Sequence, residues 1–196
     1  MKILAFVDTH GNKSAINRIQ KKAKSADIVI SAGDLSVFGR DLEIIVYTLN
    51  RIGKPVLIVP GNHETKSELK AVCSLFPNTV YLHKTSFRKD GCLFLGYGGG
   101  GFSLRDREFE RHAPEFRKLV KKGEKVILVT HAPPHGTKVD LIMDEHCGNK
   151  SFRKFIERVD ISLVVCGHLH ENADKDDRIG KTVVVNPGPF GRIIEL

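Results

Sequence analysis

The chain has 196 residues, of which 41% are hydrophobic and 28% are charged, and its formal net charge is +8. That length fits one domain over residues 1–196, and no apolar run approaches the ~18 residues that a membrane span requires. The positive charge leaves open a polyanionic partner or a lysine-rich solvated surface; because the basic residues are dispersed, we favour the surface and expect no long nucleic acid as a partner.

Apolar, β-branched runs alternate with amphipathic stretches along most of the chain. Buried strands are predicted near 2–7, 27–32, 55–60, 125–130 and 161–166, and helices near 13–24, 40–52, 65–75, 106–122 and 149–158. Residues 79–100 and 182–195 instead hold short strands with no helix between them. The alternation favours an α/β fold, and the additional strands favour a second sheet. We therefore predict a four-layer αββα sandwich, with two mixed β-sheets flanked by helices.

Two segments, 97–105 and 132–148, are predicted to be irregular. The first contains four consecutive glycines, which are typical of a turn or of closely packed backbone. A phosphate-binding role is the alternative, although the lysine and the spacing of a Walker motif are missing. His135 and His146 fall in the second segment, and the sequence assigns them no role. We expect these two loops to determine which substrate is accepted.

The four cysteines and the N-terminus both bear on the cellular location. Cys73, Cys92, Cys147 and Cys166 form no CxxC pair, so the chain does not resemble a disulfide scaffold. The N-terminal apolar run is short and soon followed by an acidic residue, which is unlike a signal peptide. Reduced cysteines and a missing targeting signal together predict a cytoplasmic protein.

Five of the predicted strands are each followed by side chains that can bind a metal. In chain order these are Asp8 and His10, then Asp34, then Asn62 and His63, then His131, and finally His168 and His170. Ligands of open α/β sheets bind beyond the carboxyl ends of the strands. We therefore expect these side chains to converge on one edge of a sheet, despite the long stretches of sequence between them.

The chemistry of these side chains favours a pair of transition-metal ions. Carboxylate, imidazole and amide donors suit Mn, Fe, Co, Ni or Zn, and the thiolates of a structural zinc site are missing. Two ions about 3.5–4 Å apart require a bridging carboxylate. Two divalent ions, two aspartates and one hydroxide leave a net charge of about +1, which attracts a phosphate anion.

The same residues resemble the signature of a known family. The matching blocks are Asp8-Thr9-His10, Gly33-Asp34, Gly61-Asn62-His63-Glu64, His131 and Gly167-His168-Leu169-His170. In this order they are similar to the five-block signature of the calcineurin-like metallophosphoesterases. The resemblance extends from residue 8 to residue 170, and Asn186-Pro187-Gly188 is similar to the closing turn of that family.

The resemblance implies that seven residues bind two metal ions in two sets that share one carboxylate. The first set is Asp8, His10, His170 and Asp34, and the second set is Asn62, His131, His168 and Asp34. Mn²⁺ is the preferred ion, with Ni, Fe, Co and Zn as alternatives.

The resemblance also implies the catalytic roles. His63 would remain free of metal and would stabilise the transition state or protonate the leaving oxygen. Asp34 would hold both ions, and a metal-bound hydroxide would be the nucleophile. Glu64 is expected to lie at a helix start or to support the ligands rather than to join them.

The segments around His131–Gly136 and His146–Gly148 resemble, more loosely, a subgroup that includes small metal-dependent phosphodiesterases. We therefore predict hydrolysis of phosphodiester bonds in a small or nucleotide-derived substrate. One alternative is a phosphomonoesterase, including a protein phosphatase. A catalytically weak interaction scaffold is the other, and the intact ligand set argues against it. The sequence gives no indication of the oligomeric state.

Overall fold

The computed structural model describes residues 1–196 and contains five α-helices and thirteen strands. The helices are α1 (Lys13–Ala23), α2 (Leu42–Asn50), α3 (Lys66–Ser74), α4 (Arg107–Leu119) and α5 (Lys150–Ile156), and a 3₁₀ turn covers His170–Asn172. The first seven strands are β1 (Lys2–Phe6), β2 (Ile28–Ser31), β3 (Val56–Ile58), β4 (Thr79–Tyr81), β5 (Thr85–Lys89), β6 (Cys92–Tyr97) and β7 (Lys125–Thr130). The remaining six are β8 (Leu141–Ile142), β9 (Glu145–His146), β10 (Leu163–Val165), β11 (Asp176–Ile179), β12 (Thr182–Val185) and β13 (Arg192–Glu195).

The strands form two large mixed sheets and one small hairpin. The first sheet has the order β13-β1-β2-β3-β4, in which only β13 is antiparallel to its neighbour. The second sheet has the order β11-β12-β10-β7-β6-β5, with four parallel strands between two antiparallel edge strands. Strands β8 and β9 pair only with each other.

Three apolar layers hold the sheets and helices together. Ile3, Phe94, Ile127 and their neighbours fill the space between the two sheets. The opposite face of the first sheet packs against α1, α2 and α3, and that of the second sheet packs against α4 and α5. Along β1 the odd-numbered side chains enter the central layer and the even-numbered ones face the helices, as the pleat of a strand requires. The predicted αββα sandwich is therefore confirmed.

Most helices begin where the sequence supplies a capping side chain. Asn12, Thr65, Asp106 and Asn149 each accept a hydrogen bond from an amide in the first turn of the helix that follows. Such a cap stabilises a helix by about 1 kcal/mol. The helices agree with the predicted ranges to within a few residues. No helix has the length and hydrophobicity that a membrane span requires.

The structure differs from the sequence prediction in three places. The segment 132–148, which was expected to be irregular, contains the β8–β9 hairpin. The charged strand β11 was not predicted, because it lies at a sheet edge, where one face remains solvated. The expectation of a single sheet edge for the ligands is wrong. Strands β1 to β3 lie in the first sheet, whereas β7 and β10 lie in the second. The candidate ligands therefore meet between the carboxyl ends of two packed sheets.

Candidate metal centre

The loops after β1, β2, β3, β7 and β10 bring the predicted ligands into one cluster. The ligand atoms of Asp8, His10 and His170 all lie within 4.8 Å of one another, and so do those of Asp8, Asp34 and His131. A third group of this kind joins His10 and Asp34 to His63. These groups overlap, so the five loops enclose one continuous site.

Asp34 occupies the middle of this cluster. Its Oδ2 atom lies 3.5 Å from His131 Nε2, 3.8 Å from His10 Nε2 and 4.0 Å from His63 Nε2. Its Oδ1 atom accepts a hydrogen bond of 3.0 Å from the backbone N–H of His63. One carboxylate oxygen is therefore fixed by the backbone, while the other faces three imidazoles.

Two pairs of facing atoms indicate where cations would bind. His131 Nδ1 lies 2.9 Å from the carbonyl oxygen of Ala32, which can only accept a proton, so His131 Nε2 presents a lone pair. That lone pair lies 2.9 Å from Asn62 Oδ1, which is also an acceptor. Burial lowers the pKa of His131 and keeps the ring neutral. Two acceptors at this distance share no proton, and a cation bound by both would satisfy them.

A second close pair lies at the other side of Asp34. His10 Nε2 and His170 Nε2 are 3.1 Å apart. Burial is the main cause that lowers the pKa of His10, and the charge of His170 lowers it further, so both rings cannot be protonated together without repulsion. Two imidazole nitrogens at this spacing could both bind one metal ion.

Asp8 and His168 carry buried polar atoms without a hydrogen-bond partner. Asp8 Oδ2 accepts a bond of 3.0 Å from the backbone N–H of His168, whereas Asp8 Oδ1 and His168 Nε2 have no partner. Burial, together with the charges of Asp34 and Glu64, raises the pKa of Asp8 to about 8, and burial lowers the pKa of His168 to about 4. A buried carboxylate beside others of like charge is stabilised by bound cations, so these donors fit a metal centre.

Four of the predicted ligands have a left-handed backbone. The φ angles are 56° at Asp8, 45° at His10, 53° at Asp34 and 72° at His168. Such conformations are uncommon outside glycine and cost free energy, so they persist where the surrounding structure imposes them. Here they turn each side chain into the gap between the two sheets, directly after its strand.

Glu64 holds two of these loops in place. Its Oε2 atom accepts hydrogen bonds from the backbone N–H groups of Asp34 at 3.1 Å and Gly61 at 3.0 Å. Its Oε1 atom accepts bonds from the backbone N–H and the hydroxyl of Ser36, both at 2.9 Å. Glu64 thus supports the ligand loops, as the sequence led us to expect. The contribution of Ser36 was missed, because nothing in the sequence distinguishes this serine from other loop residues.

Two glycines allow the β2 and β3 loops to approach each other closely. A Cβ atom at Gly61 would overlap the carboxylate of Asp34, and a Cβ atom at Gly33 would collide with the backbone of Gly61. Gly33 also has a φ angle of 102°, which side chains rarely allow. The close approach of these loops is what places Asn62 beside Asp34.

The segment Asn186–Gly188 closes the site from the C-terminal side. Asn186 Nδ2 donates to the carbonyl oxygen of Leu169 at 3.2 Å, and the carbonyl oxygen of Gly188 accepts from the backbone N–H of Val7 at 3.2 Å. This turn therefore ties the loop of His168 and His170 to the strand that leads into Asp8.

Two other histidines of the sequence lie apart from the cluster. His146 Nδ1 is 2.8 Å from Asp140 Oδ1, and His135 Nδ1 is 3.8 Å from Asp140 Oδ2. The Asp140 carboxylate also accepts from backbone N–H groups of Gly136, Thr137 and Gly148, so it is fully engaged in holding the 132–148 loop. His146 thus contributes to holding this loop, whereas His135 Nδ1 has no hydrogen-bond partner.

Two exposed aromatic residues at the centre were missed by the sequence analysis. The ring of Phe38 lies 4.5 Å from that of His63, and the ring of Phe102 lies 4.6 Å from that of His168. Neither belongs to a recognisable motif. Only the tertiary contact with a ligand loop draws attention to them.

Most of the chain also matches the model of a known protein family. The model of the calcineurin-like phosphoesterase family matches residues 1–172. This chain belongs to that family. The calcineurin-like phosphoesterases are metal-dependent hydrolases, and the clustered aspartates and histidines described above supply donors for the metal.

One curated relative and two solved structures are similar to this chain over most of its length. The chain is 34% identical over 199 residues to the uncharacterized protein MJ1162 of Methanocaldococcus jannaschii, covering 96% of this chain and 88% of that protein. The structure of TT1561 from Thermus thermophilus has a TM-score of 0.78 at 20% identity and covers 95% of this chain and 88% of that one. A dimetal phosphatase from Danio rerio has a TM-score of 0.64 at 12% identity and covers 94% and 86%. Both structures share the fold.

Proposed function

We propose that the chain is a phosphodiesterase that acts on a small or nucleotide-derived substrate through two metal ions. The observation that carries this proposal is the position of Asp34. One of its oxygens lies 3.5–4.0 Å from imidazole nitrogens of His131, His10 and His63. Asp34 is thus close to members of both proposed ligand sets through a single oxygen, which supports it as the residue that would bridge two ions.

The proposed ligands divide between the two sides of Asp34. Asp8, His10 and His170 would hold one ion, and Asn62, His131 and His168 would hold the other. Held by these residues, two divalent cations would supply charge neutralisation for the phosphate and a water of lowered pKa, about 7, as the nucleophile. No serine or cysteine nucleophile is then required.

The charge around the site favours a diester over a monoester. Asp34 contributes to the pKa shifts of Asp8, His10, His131 and His168, and no lysine or arginine is among the groups that shift them. A monoester carries up to two negative charges and benefits from an added cationic side chain, whereas a diester carries one. The charged groups that chiefly shift these four ligands are carboxylates and imidazoles, which supports the singly charged ester as the substrate.

His63 is the proposed proton donor. Its Nε2 atom lies 4.0 Å from Asp34 Oδ2, at the edge of the cluster, and its backbone N–H is fixed on Asp34 Oδ1. His63 Nδ1 has no hydrogen-bond partner. The ring thus lies at the edge of the cluster without a hydrogen bond from Nδ1 to another group, and we propose that its Nε2 would deliver a proton to the leaving oxygen of a bound phosphoester.

We also propose a single domain, a cytoplasmic location and a preferred metal ion for this chain. The pairing of β1 with β13 joins both ends of the chain in one sheet, which supports a single domain over residues 1–196. All four cysteines are free, which supports a cytoplasmic location. We propose Mn²⁺ as the preferred ion because the donor set combines carboxylate oxygen with imidazole nitrogen.

The test compares bis-p-nitrophenyl phosphate with p-nitrophenyl phosphate, using protein of measured metal content in Mn²⁺ or Ni²⁺. We expect the diester to have the higher kcat/KM. The Asp34→Asn variant should bind fewer than two ions per chain and lose turnover by more than about 100-fold, because it removes the shared charge.

The His63→Asn variant separates chemistry from metal binding. It should retain both ions and lose about 10²–10⁴-fold in kcat, the usual contribution of a general acid. A preference of wild type for the monoester would replace the diesterase with a phosphomonoesterase. Equal inactivity of wild type and Asp34→Asn on every ester would favour an interaction scaffold instead.

A further inference from the structure

We propose that Phe38 and Phe102 are stacking surfaces for the two substituents of a phosphodiester, and that the retained substituent is a nucleoside. This inference rests on the proposed function. The side chains of both residues are largely exposed, by 79% at Phe38 and 65% at Phe102. Large apolar side chains exposed at a polar site mark a surface where a ligand binds.

Each ring contacts a different part of the centre. Phe38 lies against His63, with 4.5 Å between ring centroids and an interplanar angle of 36°. Phe102 lies against His168, with 4.6 Å between centroids and an angle of 61°. Their outer faces are open to solvent. A flat ring in the substrate could therefore stack on each of them while the phosphate stays at the metals.

The loop of Phe38 is held by the groups that hold the ligands. The backbone at Phe38 is left-handed, with φ of 51°. On one side Ser36 is bonded to Glu64, and on the other the N–H of Gly39 donates to Ser36 Oγ at 3.1 Å. A strained, exposed phenylalanine tied to the support of Asp34 is placed for contact with substrate rather than for stability.

The loop of Phe102 is fixed by hydrogen bonds after the ring, and a run of glycines precedes the ring. The carbonyl oxygen of Ser103 accepts from Asn149 Nδ2 at 2.9 Å, and that of Leu104 accepts from the N–H of Lys150 at 2.8 Å. The preceding glycines 99–101 all have positive φ angles, of 80°, 93° and 157°. The absence of a Cβ at Gly101, where one would lie 3.9 Å from the ring of His168, leaves room beside the second metal set.

The two positions correspond to the two sides of a diester. Phe38 neighbours His63, the proposed donor to the leaving oxygen, so its ring would receive the leaving group. Phe102 neighbours His168, in the other ligand set, so its ring would receive the retained substituent. A monoester has only one substituent and would use only one of these rings. Stacking on an aromatic side chain accepts any base, which suits a nucleoside without selecting one.

The experiment uses two diesters that share the p-nitrophenolate leaving group. One is thymidine 5′-(p-nitrophenyl phosphate) and the other is methyl p-nitrophenyl phosphate. We expect Phe102→Leu to raise KM about tenfold for the thymidine ester and less than twofold for the methyl ester. We expect Phe38→Leu to raise KM for both, because both present a nitrophenyl ring there. The Phe102→Tyr variant, which keeps an aromatic ring, should have the same KM values as wild type.

Tyr47→Leu is the matched control, since Tyr47 is a half-exposed aromatic residue on α2 that packs on Phe76. It should leave both KM values unchanged. The inference is overturned if Phe102→Leu changes the two KM values equally, or changes neither.

Calorimetric titration of the Mn²⁺-loaded protein supplies a readout that does not depend on turnover. The affinity for thymidine 5′-monophosphate should fall about tenfold in Phe102→Leu, and that for methyl phosphate should not change. If wild type hydrolyses neither diester, the proposed function fails, but the titration still decides the inference. A loss of nucleotide affinity confined to Phe102→Leu supports it, and unchanged affinity refutes it.

Discussion

Replacing Glu64 by glutamine tests whether this buried carboxylate organises the centre. The substitution keeps the shape of the side chain and replaces one of its two oxygens by an NH₂ group. Each oxygen of Glu64 accepts two hydrogen bonds, from Asp34 and Gly61 on Oε2 and from the N–H and hydroxyl of Ser36 on Oε1. The NH₂ group must therefore face donors, whichever way the amide is turned.

The cost follows from counting those donors. With NH₂ in place of Oε2, two buried backbone N–H groups lose their acceptor. With NH₂ in place of Oε1, the hydroxyl of Ser36 can rotate to accept, and only the N–H of Ser36 is left unpaired. One unpaired buried N–H costs about 1–3 kcal/mol, and the two remaining bonds lose their charge assistance. Burial and the charge of Asp34 raise the pKa of Glu64, so removal of this carboxylate offsets part of that cost. We therefore expect Glu64→Gln to lower the free energy of unfolding by about 1–3 kcal/mol.

The assay is urea unfolding followed by circular dichroism, with a chelator present so that metal loss does not contribute. Glu43→Gln, at an exposed position of α2, is the control and should stay within about 0.5 kcal/mol of wild type. Without chelator, Glu64→Gln should also bind metal about 10–100-fold more weakly, because the loops of Asp34 and Asn62 lose their support. An unfolding free energy indistinguishable from that of Glu43→Gln would refute the reasoning.

Three further outcomes are expected. Gly61→Ala should displace the Asp34 carboxylate, which a Cβ atom there would overlap, and emission spectrometry should find fewer than two ions per chain. The chelated protein should be most stable near pH 6.5. Between pH 6.5 and 8, folded Asp8, with its pKa of about 8, still holds a proton that the unfolded chain has lost, so rising pH lowers the stability by about 2 kcal/mol in total. Below pH 6.5 the unfolded chain takes up protons that several folded histidines do not, such as His168 with its pKa of about 4, and their combined effect outweighs that of Asp8. Thermal melts of Asp8→Asn should lack the alkaline decline, and its persistence there would contradict this assignment. Removal of metal from the wild-type protein by a chelator should lower its Tm. Added Mn²⁺ should raise the Tm again, in proportion to the logarithm of the Mn²⁺ concentration. An unchanged Tm would mean that no ion binds the folded state preferentially.

The local sequence determined most of the helices and strands, and it also determined which residue types lie at the strand ends. Apolar runs such as Lys125–Thr130 are strands because β-branched side chains buried on both faces leave few other conformations, and side chains such as Asn12 and Thr65 start helices by capping their first turns. The donor residues could be predicted in the same way, because they directly follow the predicted strands in the sequence. The charged strand β11 was not visible, because pairing with β12 rather than its own pattern makes it a strand.

Tertiary structure alone decided how these pieces meet. The sequence showed five strand ends but not that they divide between two sheets, because sheet membership depends on long-range pairing. Contacts between loops bring Ser36 to Glu64, where the two residues hydrogen-bond. Such contacts also place Phe38 and Phe102 beside histidines of the centre. A donor atom is a property of its residue, whereas a distance between two loops is a property of the packed molecule. The sequence thus determined which donors are present, and packing decided what they surround.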